Sequence, residues 1–162
     1  MRRSIIIPVH NSEDYLRQCL SHLGHSTCAP HEVLVADDGS TDGSATVARQ
    51  WGARVASTVG RKGPALARNL GAREATGDVL FFLDADVCVR PHTTAQVAAA
   101  FAEDPALDAL IGSYDDAPAQ PDFLSRYRNL MHCYVHQNGR RAASTFWSGC
   151  GAIRREVFLA HS

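Results

Sequence analysis

The chain has 162 residues, 45% of them hydrophobic and 20% charged, with a net charge of −1. That is the size and composition of one globular domain with its own core; it excludes a disordered segment, and the near-neutral charge excludes a broad nucleic-acid-binding face. No apolar run approaches the roughly 18 residues that span a membrane, and the short apolar stretch after Met1-Arg2-Arg3 is too brief for a secretory leader. The five cysteines, at 19, 28, 88, 133 and 150, are odd in number and irregular in spacing, so reduced thiols in the cytoplasm are expected.

Ser4–Val9 (SIIIPV) is a β-branched run closed by proline chemistry and reads as a buried strand. Residues 12–23 have helical spacing that places Tyr15, Leu16, Cys19, Leu20 and Leu23 on one inward face, with Glu13 and Asp14 in the first turn, where the helix dipole favours them. Glu32–Asp37 is a second strand. Residues 42–51 form a second helix, with Val47, Ala48 and Trp51 inward and Gly52 as its stop. Arg54–Val59 is a weak third strand. Pro64 opens a third helix that ends near Thr76-Gly77. Val79–Leu83 (VLFFL) is apolar at every position, as in a strand covered on both faces. A fourth helix is predicted over 92–103, a fifth strand over Leu107–Tyr114, a loop over Asp115–Pro121, a helix from Asp122 to Gln137 with Phe123, Tyr127, Leu130, Met131 and Tyr134 on one face, and a late strand within Thr145–Ile153.

Alternating strands and helices with short connections predict an α/β fold, an open, mostly parallel sheet with helices on both faces. Ligands of such sheets bind beyond the carboxyl ends of the strands. Polar groups gather there: Pro8 to Asn11 after the first strand, Asp37-Asp38 after the second, and Asp84 to Asp86 after the fourth.

Asp84-Ala85-Asp86 places two carboxylates one residue apart, directly off the most apolar strand. Oxygen ligands of that kind suit Mg²⁺ or Mn²⁺, which keep open positions for phosphate oxygens. In isolation the tripeptide is most often a solvated turn; its place after a buried strand favours the metal. In Asp37-Asp38-Gly39-Ser40-Thr41-Asp42, Gly39 permits a sharp turn and Ser40 or Thr41 can cap the next helix. Adjacent carboxylates repel, so a donor such as a base N–H or a ribose hydroxyl should use at least one. Cys19, His22, His25, Cys28 and His31 recur every third residue, a spacing without the paired knuckles of structural zinc sites. His132, Cys133 and His136 read as a helix face, and Arg140-Arg141 as a solvated pair.

Four segments in order, IIIPVHN (5–11), VLVADDGSTDGS (33–44), GPALARNLGA (63–72) and FFLDADV (81–87), resemble the inverting family 2 glycosyltransferases and their GT-A fold. Phe146–Phe158 (FWSGCGAIRREVF) is more loosely similar to the acceptor-side segment of that family. The resemblance implies metal-dependent transfer of a sugar from a nucleoside-diphosphate donor, UDP foremost, to a hydroxyl of a glycan or lipid-linked acceptor, with inversion. It implies that Pro8, Val9, His10 and Asn11 line a nucleobase pocket, that Asp38 accepts from the base N–H, and that Lys62 and Gly63 lie by the base or ribose. It further implies that Asp84 meets the ribose or a metal-bound water, with Ala85 in the nucleotide-binding set, and that Asp86 ligates Mn²⁺ or Mg²⁺ together with Asp84. No protein nucleophile is expected; a carboxylate deprotonates the acceptor.

The family's acidic pair beyond the paired Arg is not matched, since the sequence ends at Ser162 soon after Arg154-Arg155-Glu156. One domain, 1–162, is therefore expected, with residues 1–90 as the donor nucleotide-binding part, 91–162 as the start of the acceptor side, and the general base beyond Ser162. Under-covering of the acceptor side would leave Phe146, Trp147 and Phe158 exposed and promote a homodimer. Membrane association stays open. A non-catalytic nucleotide-sugar-binding module is the first alternative and a nucleotidyltransferase the second, although His10-Asn11-Ser12 offers no Gly-rich basic phosphate loop.

Overall fold

The computed structural model describes residues 1–113, 122–138, 146 and 148–162. The loop predicted over Asp115–Pro121, the pair Arg140-Arg141 and Trp147 lie outside the described residues. The elements are β1 (Arg3–Val9), α1 (Glu13–Gly24), β2 (Glu32–Asp37), α2 (Ser44–Trp51), β3 (Arg54–Ser57), α3 (Pro64–Glu74), β4 (Val79–Leu83), α4 (Thr93–Glu103), β5 (Ala109–Ile111), α5 (Phe123–Gln137), β6 (Cys150–Arg154) and α6 (Arg155–Ala160). No helix of the described residues is long and apolar enough to cross a membrane.

The strands form one sheet of order β3-β2-β1-β4-β6-β5. β3, β2, β1 and β4 are parallel. β6 runs against both β4 and β5, so it alone points the other way. The chain winds outward from β1 to β3, then crosses back to lay β4 on the other side of β1. The switch point of the topology therefore lies between β1 and β4, where the carboxyl ends of the two strands open a crevice.

Strand alternation divides the core into two layers. Ile5, Ile7 and Val9 of β1 pack with Val79, Phe81 and Leu83 of β4 against Leu16 and Leu20 of α1, Val47 of α2 and Phe101 of α4. On the other face, Ile6 packs with Leu80 and Phe82 against Ala67 and Ala72 of α3, with Val157 and Phe158 of α6 closing the layer. Every residue of β4 is buried, as its uninterrupted apolar sequence demands.

Several side chains depart from the sequence reading. Tyr15 is exposed, because the stripe that meets the sheet is the narrower Leu16, Cys19, Leu20 and Leu23. Trp51 is also exposed, being the last residue of α2, past the edge of the layer it was expected to enter. Neither Ser40 nor Thr41 caps α2. Its N-cap is Gly43, and the first N–H groups go instead to carboxylates: Gly43 donates to Glu13 and Ser44 to Asp42. The apolar face of α5 is on the outside, with Phe123, Tyr127, Leu130, Met131 and Tyr134 all exposed. Phe146 and Phe158 are not an exposed patch. They pack on Phe82, at ring-centroid distances of 6.0 and 5.0 Å, because α6, which the sequence reading lacked, folds back over that face of the sheet.

Candidate functional site

The carboxyl ends of β1 and β2 are fastened together before either chain turns away. Val9 lies opposite Asp37 in the ladder, and Asp38 donates its backbone N–H to the Val9 carbonyl at 2.8 Å. His10 Nδ1 sits 2.9 Å from the Asp38 carbonyl, so that nitrogen carries the proton and the ring is held across the two strand ends. Asn11 takes a positive φ of 48°, a conformation that asparagine tolerates better than most residues. Its side-chain oxygen accepts from the Thr41 backbone N–H at 2.7 Å, and its own N–H donates to Ser40 Oγ at 3.0 Å. Asn11 thus ties the loop after β1 to the loop after β2.

Asp38 is 3% exposed and its carboxylate is heavily engaged. Oδ1 accepts from the Lys62 backbone N–H at 2.7 Å and the Thr58 hydroxyl at 2.9 Å, while Oδ2 accepts from the Gly63 backbone N–H at 2.7 Å. Burial alone would raise the pKa of this carboxyl; the donors of Lys62, Gly63 and Thr58 outweigh it and hold the pKa below its ordinary value. Lys62 and Gly63 enter the site through their main chain. Gly63, at φ 96°, adopts a left-handed conformation that puts its N–H on Asp38 just before Pro64 begins α3. On the other side of this loop, Gly39 at φ 70° lies against Gly60; a Cβ there would come within 2.8 Å of the Gly60 backbone.

These contacts leave a cleft of about 90 Å³ lined by Pro8, Val9, His10, Asp38, Arg61, Pro64 and Ala67. Of the residues predicted after β1 and β2, Pro8, Val9, His10 and Asp38 meet here, while Asn11 is outside the lining and ties the two loops instead. Arg61, Pro64 and Ala67 were missed; they adjoin the Lys62-Gly63 pair in sequence, and only the return of the chain over Asp38 reveals them as lining.

Asp84 and Asp86 follow β4, across the switch point. The Asp84 backbone N–H donates to the Gly149 carbonyl at 2.8 Å, and Val87 closes a turn onto the Asp84 carbonyl. Asp86 is exposed and Ala85 is buried, so the turn presents one carboxylate freely to solvent. Asp84 is paired with Arg68 of α3 by a short Nη2 contact to Oδ1. A second, more open cleft of about 250 Å³ is lined by Arg68, Asp84, Phe146, Ser148 and Gly149. Arg68 and Ser148 lie within the segments 63–72 and 146–158 but take no role from the sequence, since their meeting depends on α3 and the antiparallel β6 approaching β4 from opposite sides.

The same antiparallel course splits the segment read as acceptor-side. Cys150 pairs with Leu83 beside the carboxylates, but Arg154 pairs with Val79 at the far end of the sheet. There Arg154 donates to the Leu107 and Pro105 carbonyls, and its guanidinium stacks on Phe101 at 5.5 Å. It is a structural tie remote from the site.

Thiols surround the carboxylate turn without serving it. Burial pushes the Cys19 thiol up to about 12, and burial with the Asp84 charge pushes Cys150 up to about 11. Cys28, further off, accepts from Arg3. Among the described residues no group of three or more His, Cys, Asp or Glu side chains is arranged to hold a metal. Two carboxylates at a strand end fit a different kind of binding, in which a hard cation takes one or two protein oxygens and completes its shell with water and phosphate.

The model of glycosyl transferase family 2 matches residues 4–161. The chain belongs to glycosyltransferase family 2. A validoxylamine A glucosyltransferase of Streptomyces hygroscopicus subsp. limoneus is 35% identical over 141 residues, covering 75% of this chain and 29% of that protein. Among solved structures, the mannosyltransferase PcManGT from Pyrobaculum calidifontis, in complex with GDP-Man and Mn²⁺, superposes with a TM-score of 0.74 at 25% identity, covering 98% of this chain and 46% of that one. S. aureus TarS 1–349 in complex with UDP-GlcNAc gives 0.75 at 22% identity, covering 99% and 47%, and supports the GT-A fold. This family 2 chain therefore spans less than half the length of each of these proteins. What it contains of the fold is the sheet and the two clefts at its switch point.

Proposed function

We propose that the chain is the donor-binding part of a metal-dependent, inverting glycosyltransferase. It would transfer a sugar from a nucleoside-diphosphate donor to a hydroxyl of a glycan or lipid-linked acceptor. The observation that carries this reading is the opposition of the Asp38 cleft and the Asp84–Asp86 turn across the switch point of one sheet.

Pro8, Val9 and His10 would wall the nucleobase. Asp38 Oδ2 accepts one hydrogen bond where a carboxylate oxygen has room for two, which leaves a place for a base N–H. Lys62 and Gly63 keep that carboxylate charged and aimed, and Asn11 holds the loop behind it. Asp84 and Ala85 would meet the ribose, and Asp86 with Asp84 would hold Mn²⁺ or Mg²⁺. The cation, when bound, would act as Lewis acid toward the departing diphosphate. The carboxylate that deprotonates the acceptor is assigned to no described residue; Glu156, in the first turn of α6, follows the end of β6 remote from the clefts. The second reading is a nucleotide-sugar-binding module without transfer activity of its own. The five cysteines are free, which suits a cytoplasmic, reducing compartment. The outward apolar face of α5 would support pairing with a second copy of the chain.

The test is a thermal-shift screen of UDP, GDP and dTDP and their sugars, with and without Mn²⁺. Stabilisation by one nucleoside diphosphate that requires Mn²⁺ supports the donor site, and absence of a shift with all of them overturns it. Transfer to hydroxyl acceptors then separates enzyme from binding module.

A further inference from the structure

Arg68 is the cationic residue among the described lining of the second cleft. Its guanidinium touches Asp84 Oδ1 through Nη2, with the Arg68 side chain 17% exposed and Asp84 38% exposed. Its Nε is buried and has no hydrogen-bond partner among the described residues. An arginine fork is built to meet two acceptor oxygens at once, and here one of its buried N–H groups meets none. The partner it does have is the carboxylate read as a ligand of ribose and cation. Among the described residues, the cleft it lines beside that carboxylate is otherwise formed by Phe146, Ser148 and Gly149, which bring no charge.

We infer that Arg68 is the resident cation of the donor site, neutralising Asp84 while no divalent ion is bound and turning its guanidinium to the donor's diphosphate when the ion arrives. This rests on the donor-site reading above. A divalent ion approaching Asp84 meets a carboxylate whose charge is already balanced, and it must displace the guanidinium or bind through Asp86 alone. A diphosphate offers the displaced fork two or more oxygens, including one for the buried Nε. Ion and diphosphate then favour each other's binding through Arg68, in addition to any contact they make directly, and the effect is reciprocal by linkage.

The experiment measures Mn²⁺ affinity by electron paramagnetic resonance without nucleotide, and the affinities of UDP, GDP and uridine by calorimetry at saturating Mn²⁺ and in EDTA. The proteins are wild type, Arg68→Met, Arg68→Lys and Arg61→Met, each first shown by circular dichroism to be folded. Arg68→Met is expected to bind Mn²⁺ several-fold more tightly than wild type, on the order of the five- to tenfold low end of site-to-site couplings. It is also expected to bind the preferred nucleoside diphosphate about tenfold more weakly at saturating Mn²⁺, with a smaller loss in EDTA and uridine unchanged. Arg68→Lys, which keeps the charge without the fork, should leave Mn²⁺ affinity near wild type and still weaken the diphosphate. Arg61→Met removes a charge from the neighbouring cleft and should leave Mn²⁺ affinity unchanged.

Mn²⁺ affinity that stays the same or falls in Arg68→Met overturns the inference, as does an equal rise in Arg61→Met. If wild type binds neither UDP nor GDP under any condition, the donor reading fails instead, and the Mn²⁺ comparison still reports whether Arg68 competes for Asp84.

Discussion

Gly63 donates its backbone N–H to Asp38 at 2.7 Å, and this bond fastens the start of α3 to the end of β2. Asp38 is therefore both a wall of the first cleft and the anchor of the loop that closes it. Asp38→Asn would place an N–H₂ group among donors and leave at least one buried N–H unpaired. The expected losses are about 1–3 kcal/mol of stability, read by chemical denaturation, and about ten- to a hundredfold in nucleotide affinity, with Mn²⁺ dependence retained. Unchanged stability would show that the clamp is unimportant.

Asp86 behaves differently because it is exposed and outside the packed sheet. Asp86→Ala is expected to leave the melting temperature of the free protein unchanged and to abolish the Mn²⁺-dependent part of stabilisation by nucleoside diphosphate. The same metal dependence in the variant would move the cation elsewhere.

Glu32 is one of the carboxyls that make the fold sensitive to acid. Burial would raise its pKa, but donors from Ser4, from the Thr76 backbone and hydroxyl, and from Arg54 bring it down from 4.5 to about 2. A carboxyl with a depressed folded-state pKa stabilises above its unfolded value, and that stabilisation drains away as pH falls through the folded value. Stability should therefore decline between about pH 4.5 and pH 2, and Glu32→Gln should flatten that slope while costing about 1–3 kcal/mol at pH 7. Denaturant midpoints across that pH range decide it; parallel slopes in the two proteins would reject this account.

Gly39 tests the loop on which the first cleft depends. Alanine would be held at φ 70° with its Cβ 2.8 Å from the Gly60 backbone. The left-handed conformation alone costs roughly 1–2 kcal/mol, and relief of the clash would shift the 58–63 loop off Asp38. Gly39→Ala should lower both thermal stability and nucleotide affinity.

The exposed apolar face of α5 predicts self-association. Replacing Phe123, Tyr127 and Tyr134 by Ser should shift sedimentation toward the monomer without lowering the melting temperature, since none of the three is buried. A wild type that is monomeric at high concentration would remove the basis for a dimer.

Much of this architecture was readable in the amino acids themselves. Val79–Leu83 needs cover on both faces and receives it, and Pro64 begins its helix where a missing N–H costs nothing. The convergence of Pro8–His10, Asp38 and Asp84–Asp86 followed from strand order. What escaped depended on contacts between distant segments. Nothing in the sequence singles out Arg61, and Arg68 lies within the 63–72 segment without a role; their places show only where the chain returns over Asp38 and Asp84. The direction of β6 was unreadable, because Cys150–Arg154 has the same alternation whichever way it runs, and with it went the true places of Phe146, Arg154 and Phe158.

The position of β4 also constrains how the molecule can be assembled. Its neighbours are β1, made long before it, and β6, made some seventy residues after it. A nascent chain can complete the β1–β2–β3 half early, but the strand bearing Asp84 and Asp86 then waits with one bare, wholly apolar edge until Cys150–Arg154 emerges. Unpaired edges of that kind recruit other chains. A fragment ending at Gly149 is accordingly expected to scatter light and pellet where the full chain stays clear, and a monodisperse fragment would show that something other than β6 guards that edge during synthesis.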